Sequence, residues 1–328
     1  MKKLAVYNLE FPPNVRDMTM CGYRFSRIEN YDEAFSKLAH RITVSGGEFP
    51  IIPTTGSHQQ TAFVEVPETE EDPVLPWDKK GGYTKLQDVL LFLTLFTGRN
   101  VFALNPGEEK YPLRPDPREH VYGGQFHLSA RRIERWCNKE TGELLTEKEV
   151  QGKAVWNYDL IDLGLEQTIN QVIETIASPK WQTTYSDGYF IFLFRQAMRE
   201  HDIEPAFLLC WTIWEHLFAL QNKEWLDDAS IEQTNGEKKF AFILNKYLLI
   251  SIDDAARKEI KRMTKARNRL VHFGKKPDNV EIEELRMFIR LTEQVVAIVL
   301  NLEPSNVFNS IDHLHQLLKG NRTPGQSI

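Results

Sequence analysis

Residues 257–276 read RKEIKRMTKARNRLVHFGKK. Nine of these positions are lysine or arginine and one, Glu259, is acidic, so the stretch is +8 in a chain whose formal charge is −6. The remainder is then about −14, and for binding a polyanion the distribution matters more than the total. At 100° per residue, Lys258, Arg262, Lys265, Arg269 and His272 fall in one stripe about 80° wide. Ala256, Ile260, Met263, Ala266, Leu270 and Val271 face the other way and are expected in a core. This predicts an amphipathic helix over 253–272. Asp253 and Asp254 supply its N-cap and a negative first turn, and Gly274 a left-handed C-cap.

Outward from this helix, helical periodicity recurs over 165–177, 188–201, 204–225, 238–249 and 281–302. Pro179, Pro205, Gly236, Gly274 and Pro277 lie at or near the segment ends, where proline suits a first turn and glycine a C-cap. A bundle of four to six helices follows. The earlier half holds most of the prolines, with short apolar runs at 4–7, 62–66, 89–94 and 125–128. Turn-rich stretches such as Ser45-Gly46-Gly47 and Asn105-Pro106-Gly107 separate them. Residues 50–76 and 104–117 read as long loops. The fold class is therefore α+β: a mixed, β-rich domain over 1–150, then an all-helical domain over 151–328, with the boundary in the charged stretch 139–153.

Composition is that of an ordinary folded protein, with 41% hydrophobic and 26% charged residues. Cys21, Cys137 and Cys210 are far apart and form no CxxC pair, which points to a reducing compartment and away from a zinc site. The opening MKKLAVYNLEFPPN lacks the apolar core of a signal peptide. The longest later apolar run, 295–302, is too short to span a bilayer. The reading is a cytoplasmic protein without a membrane partner.

Arg267 departs from the amphipathic pattern. The projection puts it on the apolar side, between Ile260, Met263 and Val271, where a guanidinium needs a carboxylate or phosphate. Glu215 lies in FLLCWTIWEHLFAL, residues 207–220, a run apolar on nearly every side and read as a central helix. An acid there also needs a partner, so the two are expected to pair, and charge reversal at both positions should then restore folding. Asn268 and His272, four apart, share a helix face, whereas Arg267 and His272 stand about 140° apart. Either the helix is disturbed near Phe273-Gly274 or two copies of the segment meet across a symmetric interface; the second is favoured.

Residues 267–272, Arg-Asn-Arg-Leu-Val-His, resemble the R-N-x-x-x-H motif of the HEPN superfamily, and their place late in a helical bundle suits it. The resemblance covers about 160–303, and only the motif is specific. It implies a metal-independent endoribonuclease, needing no cofactor, in which the RNA 2′-OH attacks the adjacent phosphate. Arg267 would stabilise the transition-state charge. His272, of the residue type that titrates near neutral pH, would move protons, helped by its counterpart in a homodimer formed through the helical domain. Asn268 would orient the imidazole or a phosphate oxygen, Glu215 would stand behind Arg267, and Arg262, Lys265 and Arg269 would hold flanking phosphates of RNA.

Plainer readings stand beside this one. A lone histidine at a helix C-terminus is often a dipole partner only. His216 reads as a core or supporting residue, His313 and His315 as surface, and Trp211, Trp214 and Trp225 as core packing. His120 and His127 match no pattern. The chain could be a catalytically silent RNA-binding or partner-binding HEPN module. It could be a toxin or abortive-infection effector controlled by an inhibitory or trigger protein. A ligand-binding first half joined to a helical half that serves only for dimerisation is also open.

Overall fold

The first strand, β1 (Lys2–Tyr7), is apolar without alternation from Leu4 onward, and all four of its last residues are buried. It lies inside a five-stranded antiparallel sheet in the order β2-β3-β6-β1-β7, with β2 (Asp17–Met20), β3 (Tyr23–Arg27), β6 (Gln60–Val66) and β7 (Phe102–Leu104). β2 alternates exposed and buried residues, the pattern of a strand with one wet face. A second antiparallel sheet runs β5-β4-β10-β8-β9, from β4 (His40–Val44), β5 (Gly47–Ile51), β8 (Arg132–Asn138), β9 (Leu144–Leu145) and β10 (Val155–Ile161). The computed structural model describes residues 1–12, 14–36, 40–44, 47–51, 58–69, 85–97, 100–106, 132–138, 144–145, 155–161, 164–185, 188–200 and 202–302. His120, His127, His313, His315, the expected strand at 125–128 and most of the segments 104–117 and 139–153 lie outside them, whereas the reading of 50–76 as a long loop is corrected by β6, whose Gln60–Val66 pair with β1 and β3 in its middle.

Among the described residues, two helices belong to this half, α1 (Tyr31–Ser36) and α2 (Lys85–Thr97). The second corrects the reading of 89–94 as one of the short runs of a β-rich half. Ten of its thirteen residues are buried, and a helix buried on all sides shows no period that separates it from a buried strand. The chain divides into two compact units, Met1–Glu174 and Thr175–Ile328. The division falls later than 150 because β10 pairs along its whole length with β8. The start of α3 (Leu165–Ala177) is also tied to the β2–β3 turn, where the Cys21 backbone N–H donates to Asn170 Oδ1 at 2.8 Å.

The second unit continues with α4 (Pro179–Tyr185), α5 (Tyr189–Arg199), α6 (Ile203–Asn222), α7 (Asp228–Gln233), α8 (Gly236–Leu248), α9 (Asp254–Phe273) and α10 (Ile282–Val299). Helix α6 is the centre, packed by α4, α5, α8, α9 and α10. Its length and composition would let it cross a membrane, but Phe207, Trp211, Ile213, Trp214 and Leu217 are buried among these neighbours. The core is aromatic. Phe288 of α10 meets Phe207, Trp211, Trp214 and Phe240 at ring-centroid distances of 4.9, 5.5, 4.6 and 5.3 Å. Trp214 also donates Nε1–H to Thr292 Oγ1 at 2.9 Å, so its polar atom is satisfied inside the core. Trp225 is the exception among the expected core tryptophans: it lies past the end of α6 and is 70% exposed.

The ends of α9 follow from its sequence. Asp253 accepts a hydrogen bond from the Ala256 N–H at 2.8 Å, and Gly274 closes the helix at φ 66°. No atom lies within 4 Å of a Cβ built on Gly274, so only backbone conformation requires glycine there. Gly274→Ala is expected to cost about 1 kcal/mol, the penalty of a left-handed L-residue, read from the urea unfolding midpoint with no change in slope.

Candidate functional site

The motif residues occupy the last two turns of α9, where α9 lies against α6 and α8. Arg267 is half-buried rather than buried, with 30% of its side chain exposed, because it sits at the rim of the packed surface. It donates Nη2–H to Glu215 Oε1 at 3.3 Å and Nη1–H to Asn268 Oδ1 at 3.2 Å. Glu215 Oε1 also accepts from Trp211 Nε1 at 2.9 Å. A buried indole thus fixes a carboxylate, and the carboxylate aims a guanidinium. A guanidinium has five N–H donors, and among the described residues two of Arg267's are engaged, which leaves the others for a ligand.

Beside Arg267 a cleft of about 190 Å³ opens between α9 and the first turn of α8. Its walls include Trp211, Glu215, Gly236, Glu237, Arg267 and Asn268. Gly236 was expected near a segment end as a C-cap, but it opens α8, with Asn235 as the N-cap accepting from the Lys238 N–H at 2.9 Å. A Cβ on Gly236 would come within 3.2 Å of Trp211 Cζ2 and 3.3 Å of Thr264 Cγ2. Glycine therefore lets the start of α8 come close to α6 and α9.

His272 does not line this cleft. It is exposed in the last turn of α9, and among the described residues no hydrogen bond holds its ring. Val271, expected to face the core, is 51% exposed, and Phe273 is 71% exposed. Burial on α9 ends at Leu270, so the last turn stands clear of its neighbours. One copy of the chain therefore joins Arg267 with Asn268 and Glu215 but leaves His272 apart. His216, on α6, is half-buried with its ring edge-on to Tyr189.

The cationic stripe is less uniform than its projection. Lys258 and Lys265 are exposed, and Arg269 is half-buried with its guanidinium 5.9 Å from the Phe273 ring centroid. Arg262 is not available to hold a phosphate. Its guanidinium makes a two-pronged contact with Glu284, at 2.7 and 2.5 Å, and reaches Glu259 at 3.0 and 2.6 Å. Burial alone would lower its pKa, but the bonds to Glu284 and Glu259 outweigh burial and hold the group above its ordinary value. Glu284 has a second task. It accepts from the Glu281 N–H at 2.8 Å in the capping box of α10. The sequence carried a signal for this in the Glu281-x-x-Glu284 spacing; for Glu237 and the cleft it carried none beyond Asn235-Gly236 as a helix start.

No family matches. No protein-family model fits the chain, and neither the curated proteins nor the solved structures contain a match to it. The site stands on its own geometry. Among the described residues, no three His, Cys, Asp or Glu side chains cluster as metal ligands would.

Two substitutions test this geometry. Exchanging the charges with Glu215→Arg and Arg267→Glu together should recover only part of the stability lost in either single variant, because Trp211 Nε1–H would then face a donor. A double-mutant cycle in urea should give a coupling of about 0.5–1 kcal/mol for this half-exposed pair. Arg262→Ala should cost about 3 kcal/mol, since it strands carboxylates whose side chains are only 12% and 5% exposed.

Proposed function

We propose that the chain is a metal-independent endoribonuclease of HEPN type, a toxin or antiviral-defence effector that cuts RNA by 2′-OH attack. The observation that carries this reading is the state of Arg267: aimed by Glu215 and Asn268, set at the mouth of a cleft, and still holding free N–H donors. That is how a preorganised group for transition-state charge should stand.

In the reaction the 2′-oxygen forms a bond to phosphorus as the P–O5′ bond breaks, leaving a 2′,3′-cyclic phosphate and a 5′-hydroxyl. One proton leaves the 2′-OH and another reaches O5′, so two proton-transfer groups are required. Each copy brings one His272. The exposed Val271 and Phe273 beside it offer apolar area for a second copy, which would bring two imidazoles and two guanidinia to a shared groove. Lys265 and Arg269 then contact flanking phosphates, giving affinity that weakens with salt. An inhibitory or trigger protein would act by covering or completing this groove.

The second reading, a silent RNA-binding module, is favoured by one fact: within a single copy, Arg267 and His272 do not converge.

Incubation of the full-length protein with mixed single-stranded RNA and a tRNA pool in EDTA separates the two. Cleavage leaving 2′,3′-cyclic phosphate ends is expected, reduced at least about a hundredfold in His272→Ala and in Arg267→Ala. Each variant should keep the native circular-dichroism spectrum. RNA binding without cleavage by the folded native protein would establish the silent module instead.

A further inference from the structure

The cleft beside Arg267 is poorly suited to a second phosphate. It has two carboxylates, Glu215 and Glu237, against one guanidinium. Glu215 is already committed, since its Oε1 accepts from both Trp211 and Arg267. Glu237 is not. It is half-buried in the first turn of α8, and among the described residues no hydrogen bond or ion pair reaches its carboxylate. A half-buried carboxylate without donors calls for a ligand that brings N–H groups.

Asn268 narrows the choice. Its Oδ1 is taken by Arg267 Nη1–H, which fixes the amide orientation and leaves the NH₂ end as the free donor. The cleft therefore presents a carboxylate acceptor and an amide donor. Among RNA bases, guanine alone has two adjacent N–H donors, at N1 and N2, next to an acceptor, O6. A carboxylate takes such a pair of donors as it takes the parallel N–H groups of arginine. The volume, about 190 Å³, is below the ~300 Å³ at which pockets enclosing drug-sized ligands begin. One base fits that size better than a whole nucleotide.

We infer that this cleft receives the guanine base of a nucleotide in single-stranded RNA, Glu237 accepting from N1–H and N2–H and Asn268 donating to O6. Because Arg267 and Asn268 belong both to the cleft and to the proposed catalytic set, this base flanks the scissile phosphate. The inference rests on the ribonuclease reading for that placement, but the recognition of guanine can be tested without it. Single-stranded RNA leaves the Watson–Crick edge open for such readout, as a duplex does not.

The test uses the full-length protein and 2′-fluoro hexanucleotides, which offer no 2′-OH for attack, with one central guanine, inosine or adenine in a uridine background. Fluorescence anisotropy is expected to rank guanine above inosine, which lacks the N2 amine, and inosine above adenine. Glu237→Gln should lower the guanine affinity about tenfold or more, to the adenine level, with the thermal midpoint preserved. GMP, which carries the same base, should compete only far above the hexamer's Kd. Equal binding of guanine and adenine hexamers, or no binding of any, overturns the inference; so does GMP binding as tightly as the hexamer, which would make this a free-nucleotide site. Cleavage of random-sequence RNA without guanine beside the cut also overturns it and leaves the ribonuclease standing. Guanine-selective binding with no cleavage by the folded protein does the reverse.

Discussion

Trp211 is the side chain on which the candidate site depends. Its ring stacks on Phe288 in the middle of the helical unit, and its Nε1–H holds Glu215, which in turn holds Arg267. An apolar core cannot by itself place a charged group, and a charged group at a rim has little to fix its direction. The indole serves both needs, offering a large apolar face to the core and one donor at its edge. Gly236 completes the arrangement by letting α8 approach that indole closely. The position of the Arg267 guanidinium is thus set by the same packing that stabilises the unit, with the hydrogen bond from Trp211 to Glu215 joining the two.

The charge on α9 divides into two kinds. Arg262 is consumed by Glu259 and Glu284, and because Glu284 also caps α10, this contact joins the middle of one helix to the beginning of the next. Lys258 and Lys265 remain in water, where they can attract a polyanion but fix nothing. A basic stripe read from sequence therefore overstates the charge available for binding, since part of it holds the bundle together.

What could be read in advance was mostly local. Asp253 and Gly274 announce the ends of α9 because a cap acts within three or four residues of itself. The partnership of Arg267 with Glu215 could be argued because each is a charge set in an otherwise apolar face, and such charges need one another. Arg262 was misjudged because its partner Glu284 lies on another helix, which no periodicity displays. The boundary near residue 150 was placed too early because the pairing of β10 with β8 and β4 is likewise non-local. Residues 89–94 gave no period to separate helix from strand, and Trp225 was judged by composition when its place beyond the end of α6 decides its exposure. The cleft and Glu237 were illegible, since a concavity exists only once three helices have met.

Helix α6 has a further consequence, for synthesis rather than for the finished fold. Part of its apolar surface is covered by α5, which precedes it in the chain, but another part is covered by α8 and α10, and Trp214 reaches its hydrogen-bond partner Thr292 across 78 residues of sequence. At roughly 5–20 residues per second, the ribosome needs several seconds or more to add that length. Throughout that interval a helix with the composition of a membrane span can pack on α5 but lacks the cover that α10 supplies. The nascent chain is then a natural client for holding chaperones, and slow or truncated translation between α6 and α10 would leave the segment most prone to aggregate exposed.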